Sequence, residues 1–483
     1  MKIVLINVPL FNNQELRWNT GSHYVPLGLC YIAGLLEKNG YEVKIIDGPF
    51  ENPTEMELEM HLRELKPDLI GIASLAAATH QATLKTIKIA RKTNPNSLIV
   101  VGGPHAGENY KSMLEQVPEI DIITRGEAEF TFLELVQSLE RKKEFHKIKG
   151  IAFRENKKII ATEERLPLMN LDELPFPARH LIDITNEKYG SGFRYKRKPT
   201  TLLITSRGCP FVCTFCYKTY GTLFRAHSPE YVVKEIEHLI ELGIRDFYIP
   251  DDNFFVDIDR VRKICELIIE KKLEITWAVQ GTIVHAYKDP EMIRLLAEAG
   301  CWYIAFGIES GNKEIIKTIK KPVTLDVVKE VVELTNKYGI TTKGYFMIGN
   351  LNETVETIED TINYAKSLPL DTVQFNFSVP YPGTEYYDSV MLNGKGTFDN
   401  KAYEKYSGHS NEPIFVPEGL SKEFMMKVQR RAYREFYFRP KYIWSQFKKV
   451  DNTKTLLKYC RLAAIYFKKT VIEELPIINK MRY

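Results

Sequence analysis

The 483-residue chain has no apolar run approaching the ~20 residues that cross a bilayer, so no helical membrane span is expected. Its first residues, MKIVLINVPL, are too short for a secretory signal and read as a first strand, which makes a cytoplasmic location the expectation. It has little net charge: 66 basic residues against 62 acidic ones leave +4, and such a balance by itself points to no nucleic-acid partner. It has no internal repeat of roughly 20–50 residues and no low-complexity tract, which excludes solenoids and disordered arrays. What remains is a globular composition, 44% hydrophobic and 27% charged, in a chain too long for one core.

Cysteine is also scarce. The seven are Cys30, Cys209, Cys213, Cys216, Cys265, Cys301 and Cys460, an odd number that argues against a disulfide framework. Four are scattered among apolar neighbours. The other three fall within eight residues, in RGCPFVCTFCY, with the spacing C-x₃-C-x₂-C.

Hydrophobic patterning divides the chain into an α/β domain over 1–145, a hairpin and Pro-rich linker over 146–200, a second α/β domain over 201–390 and a helical basic region over 391–483. In the first domain, short apolar runs at Ile3–Val8, Val43–Asp47, Leu69–Ser74, Leu98–Gly103 and Asp121–Thr124 suit parallel strands buried on both faces. Helical stretches at Leu27–Asn39, Met56–Lys66, Ala82–Thr93 and Glu129–Lys142 separate them, and the sum is a doubly wound sheet. Ligands of that architecture bind beyond the carboxyl ends of the strands. Residues 150–164 read as a hairpin turning at Glu155–Lys158, and Leu166-Pro167 and Leu174-Pro175-Phe176-Pro177 break regular structure at a boundary. In the second domain, strands are expected at Thr201–Ser206, Asp246–Pro250, Thr276–Gln280, Trp302–Gly307, Lys343–Ile348 and Thr372–Val379. Six β-α units predict a partial barrel with its chemistry at the carboxyl strand ends.

The cysteine triad lies just after the first strand of that barrel. Closely spaced thiolates can hold neighbouring irons of one cube, and an iron–sulfur cluster normally takes four cysteines. No fourth cysteine lies nearby, so one iron would stay open to a ligand. Zinc is the other metal that takes such donors, although no His with ligand spacing follows Cys216. Three buried structural cysteines are the remaining reading.

RGCPFVCTFC on a strand-to-loop exit resembles the cluster motif of radical S-adenosylmethionine (SAM) enzymes. The resemblance implies that Cys209, Cys213 and Cys216 hold a 4Fe–4S cluster whose open iron binds SAM, and that an electron donor such as flavodoxin or ferredoxin reduces it. Reductive cleavage of SAM would give a 5′-deoxyadenosyl radical. Phe215 matches the aromatic position near the adenine. YIPDDNF (Tyr248–Phe254) ends the second strand, and Asp251 and Asp252 would accept from the SAM ammonium or cap a helix. GIES (Gly307–Ser310) ends the fourth, where Glu309 and Ser310 would meet the ribose and carboxylate. YFMIGNLNET (Tyr345–Thr354) and PYPGTE (Pro380–Glu385) end the fifth and sixth.

No G-x-G-x-x-G follows the first strand of the N-terminal domain, which argues against a dinucleotide site. VPLGLCYIAGLLEKNGYEVKIID (Val25–Asp47), GGPHAG (Gly102–Gly107), DIITRGEAEFT (Asp121–Thr131) and LDELPFPARHL (Leu171–Leu181) instead resemble the cobalamin-binding subgroup of these enzymes. Gly102 and Gly103 would let the backbone approach a bulky ligand. Glu127 and Glu129 fall in the subgroup's turn. Ser74 would touch the cofactor's nucleotide tail or cap its strand. The segment Asn7–Asn13 lacks the Asp-x-His-x-x-Gly that supplies a lower cobalt ligand, so none is expected there, and His105 is read as a loop or tail contact.

The implied activity is methyl transfer from methylcobalamin to an unactivated carbon of a small-molecule or lipid-like substrate. Radical ring formation with the same cofactors, or a non-catalytic sensor, are the alternatives. RRAYREFYFRPKYI (Arg430–Ile443) also resembles the subgroup, with Tyr433, Phe436 and Phe438 expected to pack. Residues 440–483 carry ten Lys or Arg against three acids, a solvated helical face or a membrane-surface contact.

Overall fold

The computed structural model describes residues 1–11, 22–141, 144–191, 195–282, 289–393, 395–399 and 412–447. Five parallel strands open the chain: β1 (Lys2–Asn7), β2 (Glu42–Asp47), β3 (Leu69–Ala73), β4 (Leu98–Gly102) and β5 (Ile122–Thr124). They lie in the order β2-β1-β3-β4-β5, the doubly wound arrangement expected. Alternate residues of β1 enter different cores, Ile3 and Leu5 on one face and Val4 and Ile6 on the other. That two-sided burial is why these strands read as unbroken apolar runs.

The hairpin assigned above to the linker belongs to this sheet. β6 (Ile151–Glu155) pairs antiparallel with β5, and β7 (Lys158–Ala161) pairs with β6. Asn156 and Lys157, at φ of 48° and 64°, make the tight turn. β5 is only three residues long, and the hairpin covers its open edge.

The second sheet holds six parallel strands in sequence order: β8 (Thr200–Leu202), β9 (Asp246–Ile249), β10 (Thr276–Gly281), β11 (Cys301–Glu309), β12 (Thr341–Ile348) and β13 (Thr372–Phe377). It is an open, partial barrel. Side-chain caps start its helices: Ser228 accepts from Tyr231 N–H, Asp257 from Arg260 N–H, Asp289 from Met292 N–H and Thr354 from Thr357 N–H. β8 stops short of the expected Ser206. Asp251 accepts from the backbone N–H of Thr205 and the hydroxyls of Thr205 and Ser206, which draws the chain out of the ladder.

The linker is bolted to both domains. Ala178 N–H donates to Cys30 of the helix Leu27–Lys38, while Asp172 accepts from Ser228 N–H and pairs with His227. Arg179 meets Glu235 at 2.7 Å with both side chains 1% exposed, and also donates to the carbonyl of Leu202.

At the far side, the helix Lys422–Tyr437 covers the barrel edge. Val373 N–H donates to the Tyr437 hydroxyl and Phe375 N–H to that of Tyr433, while the Gln429 amide donates to Phe375 carbonyl. Side chains thus stand in for a seventh strand, and Tyr433 and Phe436 pack as expected, whereas Phe438 is exposed. The helix Pro440–Phe447 follows, and the remainder of the basic tail lies outside the described residues. Among the described residues no helix is long and apolar enough to cross a membrane. Tyr433→Phe removes the acceptor of a backbone N–H on the edge strand and is expected to cost about 1–3 kcal/mol, read as an earlier midpoint in urea unfolding.

Candidate active site between the two sheets

The carboxyl ends of the first sheet face the start of the barrel across a cavity of ≈ 690 Å³. Asn7, Ala73, Gly102, Gly103 and the segment Thr124–Glu129 line it from the sheet, and Leu202, Tyr217, Thr219 and Tyr220 from the barrel. It continues down the sheet face past Leu5, Gly71 and Val100, against Ile32 and Phe132. Gly71 keeps that slot open: a Cβ there would lie 2.7 Å from the Leu5 side chain and 3.0 Å from Phe132. It went unnoticed in the sequence, where a glycine inside a strand run was the available signal.

The paired glycines answer to their neighbours first. A Cβ on Gly102 would sit 2.4 Å from Thr124 Oγ1, and one on Gly103, at φ 105°, would sit 2.7 Å from the Ser74 carbonyl. Ser74, just after β3, has its hydroxyl buried and without a hydrogen-bond partner. The strand-end pocket, walled by Gly71, Gly102 and Gly103, offers room for cobalamin, while Ser74 lies behind the wall and does not line it.

His105 departs from the expectation. Its Nε2 lies 3.0 Å from His80 Nδ1, and both rings line a separate groove with Lys88, Ser112 and Gln116. Burial, with His80 adding to it, pushes the imidazole pKa down to about 4, so the ring is neutral at physiological pH. Glu127 and Glu129 also differ from expectation. They line the cavity, but their carboxylates are engaged by Arg207 and Arg225.

Those arginines stand at the neck of the cysteine loop. Ser206 and Arg207 pair antiparallel with Ala226 and Arg225, closing residues 208–224 into a loop that carries Cys209, Cys213 and Cys216. Arg207 bonds Glu127 at 2.8 Å and Glu129 at 2.6 Å, and Arg225 reaches Glu127 at 2.6 Å. Arg207 and Arg225 are only 2% and 1% exposed, and the rings of Tyr31 and Tyr220 flank Arg207. Arg207 opens the motif RGCPFVCTFC, and nothing in the neighbouring sequence marks its distant partners. Tyr217, next to Cys216, donates to Glu108 on the opposite wall of the cavity.

Inside the barrel mouth the loop meets β11 and Lys321. A register shift between Gly307 and Glu309, with Glu309 at φ 70°, re-aims the Glu309 side chain, which bonds Lys321 Nζ at 3.0 Å. A Cβ at Gly307 would touch both groups. Lys321 lies 5.9 Å from the Phe215 ring centroid. Burial raises the thiol pKa of Cys209 and Cys213 and the Lys321 charge opposes the rise, while Cys216 is exposed on the loop. Lys321 was hidden in a lysine-rich run. A left-handed Lys320, with Lys321 N–H on the Ile316 carbonyl and Lys320 N–H on that of Lys317, ends its helix in a Schellman turn, and the buried Lys321 points inward.

Three of the other expected SAM contacts have local partners. Asp251 is fully buried, its oxygens bonded to Thr205 and Ser206, so it sets the shape of the loop's entrance. The Ser310 hydroxyl bonds Thr361 and accepts from Asn312 N–H, which caps the following helix. Asp252 accepts from Gly208 N–H, beside Cys209. Among the described residues no three His, Cys, Asp or Glu side chains converge on one metal ion, whereas a cubane spreads its thiolates over three irons. The triad, one open position and the Lys321–Glu309 pair beside it fit such a cluster with SAM.

Two outcomes are expected. Anaerobically reconstituted protein holds about four irons per chain, Cys209→Ala, Cys213→Ala and Cys216→Ala each lose the cluster spectrum, and alanine at the buried Cys30, Cys265 or Cys301 leaves it intact. The paramagnetic spectrum of bound cob(II)alamin shows no coupling to a protein imidazole and is the same in His105→Ala.

Comparison with known proteins agrees with the two sheets. Residues 203–365 match the radical SAM superfamily and residues 16–136 the B12 binding domain. The chain is 33% identical over 444 residues to an uncharacterized methyltransferase of Pyrococcus horikoshii, covering 91% of this chain and 93% of that one. It is 27% identical over 445 residues to the anaerobic magnesium-protoporphyrin IX monomethyl ester cyclase of Rubrivivax gelatinosus, covering 91% and 78%. The cobalamin-dependent SAM radical enzyme OxsB, solved with aqua-cobalamin and SAM, shares the fold with a TM-score of 0.77 at 17% identity, over 96% of this chain and 71% of that one. With a B12-binding sheet followed by a radical SAM barrel that carries the cysteine loop, the chain belongs to the cobalamin-binding radical SAM enzymes.

Proposed function

We propose that this enzyme transfers a methyl group to an unactivated carbon of a small-molecule substrate. The observation that carries this reading is the shared cavity, with Gly102, Gly103 and residues 125–129 on one wall and Tyr217, Thr219 and Tyr220 on the other. Direct transfer needs the methyl donor, the substrate carbon and the radical source within near-contact distance, and a cavity walled by the first sheet on one side and by Tyr217, Thr219 and Tyr220, just after Cys216, on the other supports that requirement. When bound, the cluster and SAM supply a radical that removes hydrogen, and cobalamin supplies the methyl group.

The chain's own residues hold this arrangement. Cys209, Cys213 and Cys216 bind the cluster. Phe215 packs beside the adenine, Glu309 and Lys321 orient SAM from the end of β11, and Asp252 steadies Gly208 ahead of the first cysteine. Gly71, Gly102 and Gly103 wall the pocket that receives cobalamin. An electron donor such as flavodoxin or ferredoxin supplies the electrons.

Likeness to the Rubrivivax cyclase over 91% of the chain supports a second reading, radical ring formation with the same cofactors. Incubation with methyl-labelled SAM separates them. Label in the product supports methyl transfer, 5′-deoxyadenosine without label in product supports cyclisation, and neither one sinks both readings. Lys321→Met, which keeps the stem but removes the charge beside Glu309 and Cys213, is expected to raise the apparent KM for SAM about tenfold, the factor that 1.4 kcal/mol of binding represents.

A further inference from the structure

The neck of the cysteine loop belongs to one domain and the acids that hold it belong to the other. Residues 208–224 leave and return through the Arg207–Arg225 pair, and both arginines are gripped by Glu127, with Glu129 taking the second nitrogen of Arg207. The same acids stand on the first-sheet wall of the cavity, and Tyr217, Thr219 and Tyr220 of the loop form the wall opposite. A ligand filling the cavity therefore bears on the acidic turn and on the cysteine loop together. Arg125 before the turn is held by Gly150, Thr162 and Glu164, and the space beside Gly126 is open, with nothing within 4 Å of an added Cβ. Arg207 and Arg225 have no such space: both are buried, and Arg207 is flanked by Tyr31 and Tyr220. A shift of the turn must pass to the neck, because charges removed from water cannot exchange partners with solvent.

We propose that Arg207 is a positioning residue that, through Glu127 and Glu129, couples occupancy of the interdomain cavity to the placement of the cysteine loop, so that cobalamin and SAM reinforce each other's binding. This rests on membership of the family and not on methyl transfer, so it stands or falls separately from the reaction proposed above. The coupling is reciprocal by thermodynamic necessity: each ligand tightens the other by one factor.

The test uses full-length protein with its reconstituted cluster, with and without hydroxocobalamin. SAM is titrated while the paramagnetic spectrum of the reduced cluster is followed. In the unaltered protein cobalamin should lower the SAM Kd by at least about 5-fold, and SAM should lower the cobalamin Kd by the same factor. In Glu127→Gln/Glu129→Gln the cluster spectrum should still respond to SAM, but the factor should fall to about one. Arg207→Lys keeps the charge without the fork that reaches two acids and should retain only part of it. A purely structural clamp would change iron content or unfolding temperature and leave the factor intact in the folded fraction. If the double variant does not hold its cluster, Glu129→Gln alone, which leaves Glu127 bridging both arginines, is measured in the same way. A reduced factor there supports the coupling. The wild-type factor in any of these variants, or no factor in the unaltered protein, overturns it.

Discussion

Two buried arginines held by two carboxylates across a domain boundary are the constraint on which this molecule depends. Arg207 and Arg225 close the loop that presents the three cysteines, and Glu127 and Glu129 of the cobalamin domain neutralise them. The quartet carries two charges of each sign. Removing one partner leaves a buried charge uncompensated, a loss of about 3–5 kcal/mol in comparable pairs. The interaction therefore ties the position of the loop to the other sheet.

The remaining connections act in the same direction. A linker rich in proline has little conformational freedom to lose, and this one is held by both domains, Ala178 by Cys30, and Asp172 and Arg179 by Ser228, His227 and Glu235. The helix Lys422–Tyr437 satisfies the backbone of the last barrel strand with tyrosine and glutamine side chains, so the open barrel keeps its shape without a closing strand. Near-contact chemistry needs that rigidity: the protein sets where two cofactors and a substrate carbon meet.

Within the site, side chains divide between those that face the ligands and those that hold the wall. Asp251 and Ser310 sit at strand ends yet have every oxygen engaged by neighbours, so they shape loops. Lys321 and Glu309 point into the mouth because a Schellman turn and a register shift aim them there. Burial makes the Cys209 and Cys213 thiols reluctant to ionise, and the Lys321 charge offsets part of that cost where thiolates are required.

The sequence by itself determined the two α/β halves, the strand positions to within a few residues and the cysteine loop. Those features rest on local patterning: apolar runs buried on both faces, turn residues at their ends, and three thiols within one loop. It also carried the motifs of the glycine-walled end of the first sheet, at Gly102 and Gly103. Partners distant in sequence were decided by the tertiary structure alone. The hairpin at 151–161 joined the first sheet because β5 left an edge to cover. Glu127 and Glu129 turned to Arg207 and Arg225 because unpaired arginines cannot be buried. His105 found His80 in a different groove, and Lys321 reached Glu309 from a run that reads as solvated surface. Spacing along a chain reports which backbone segments form, but which charges meet depends on the packing of elements far apart in sequence.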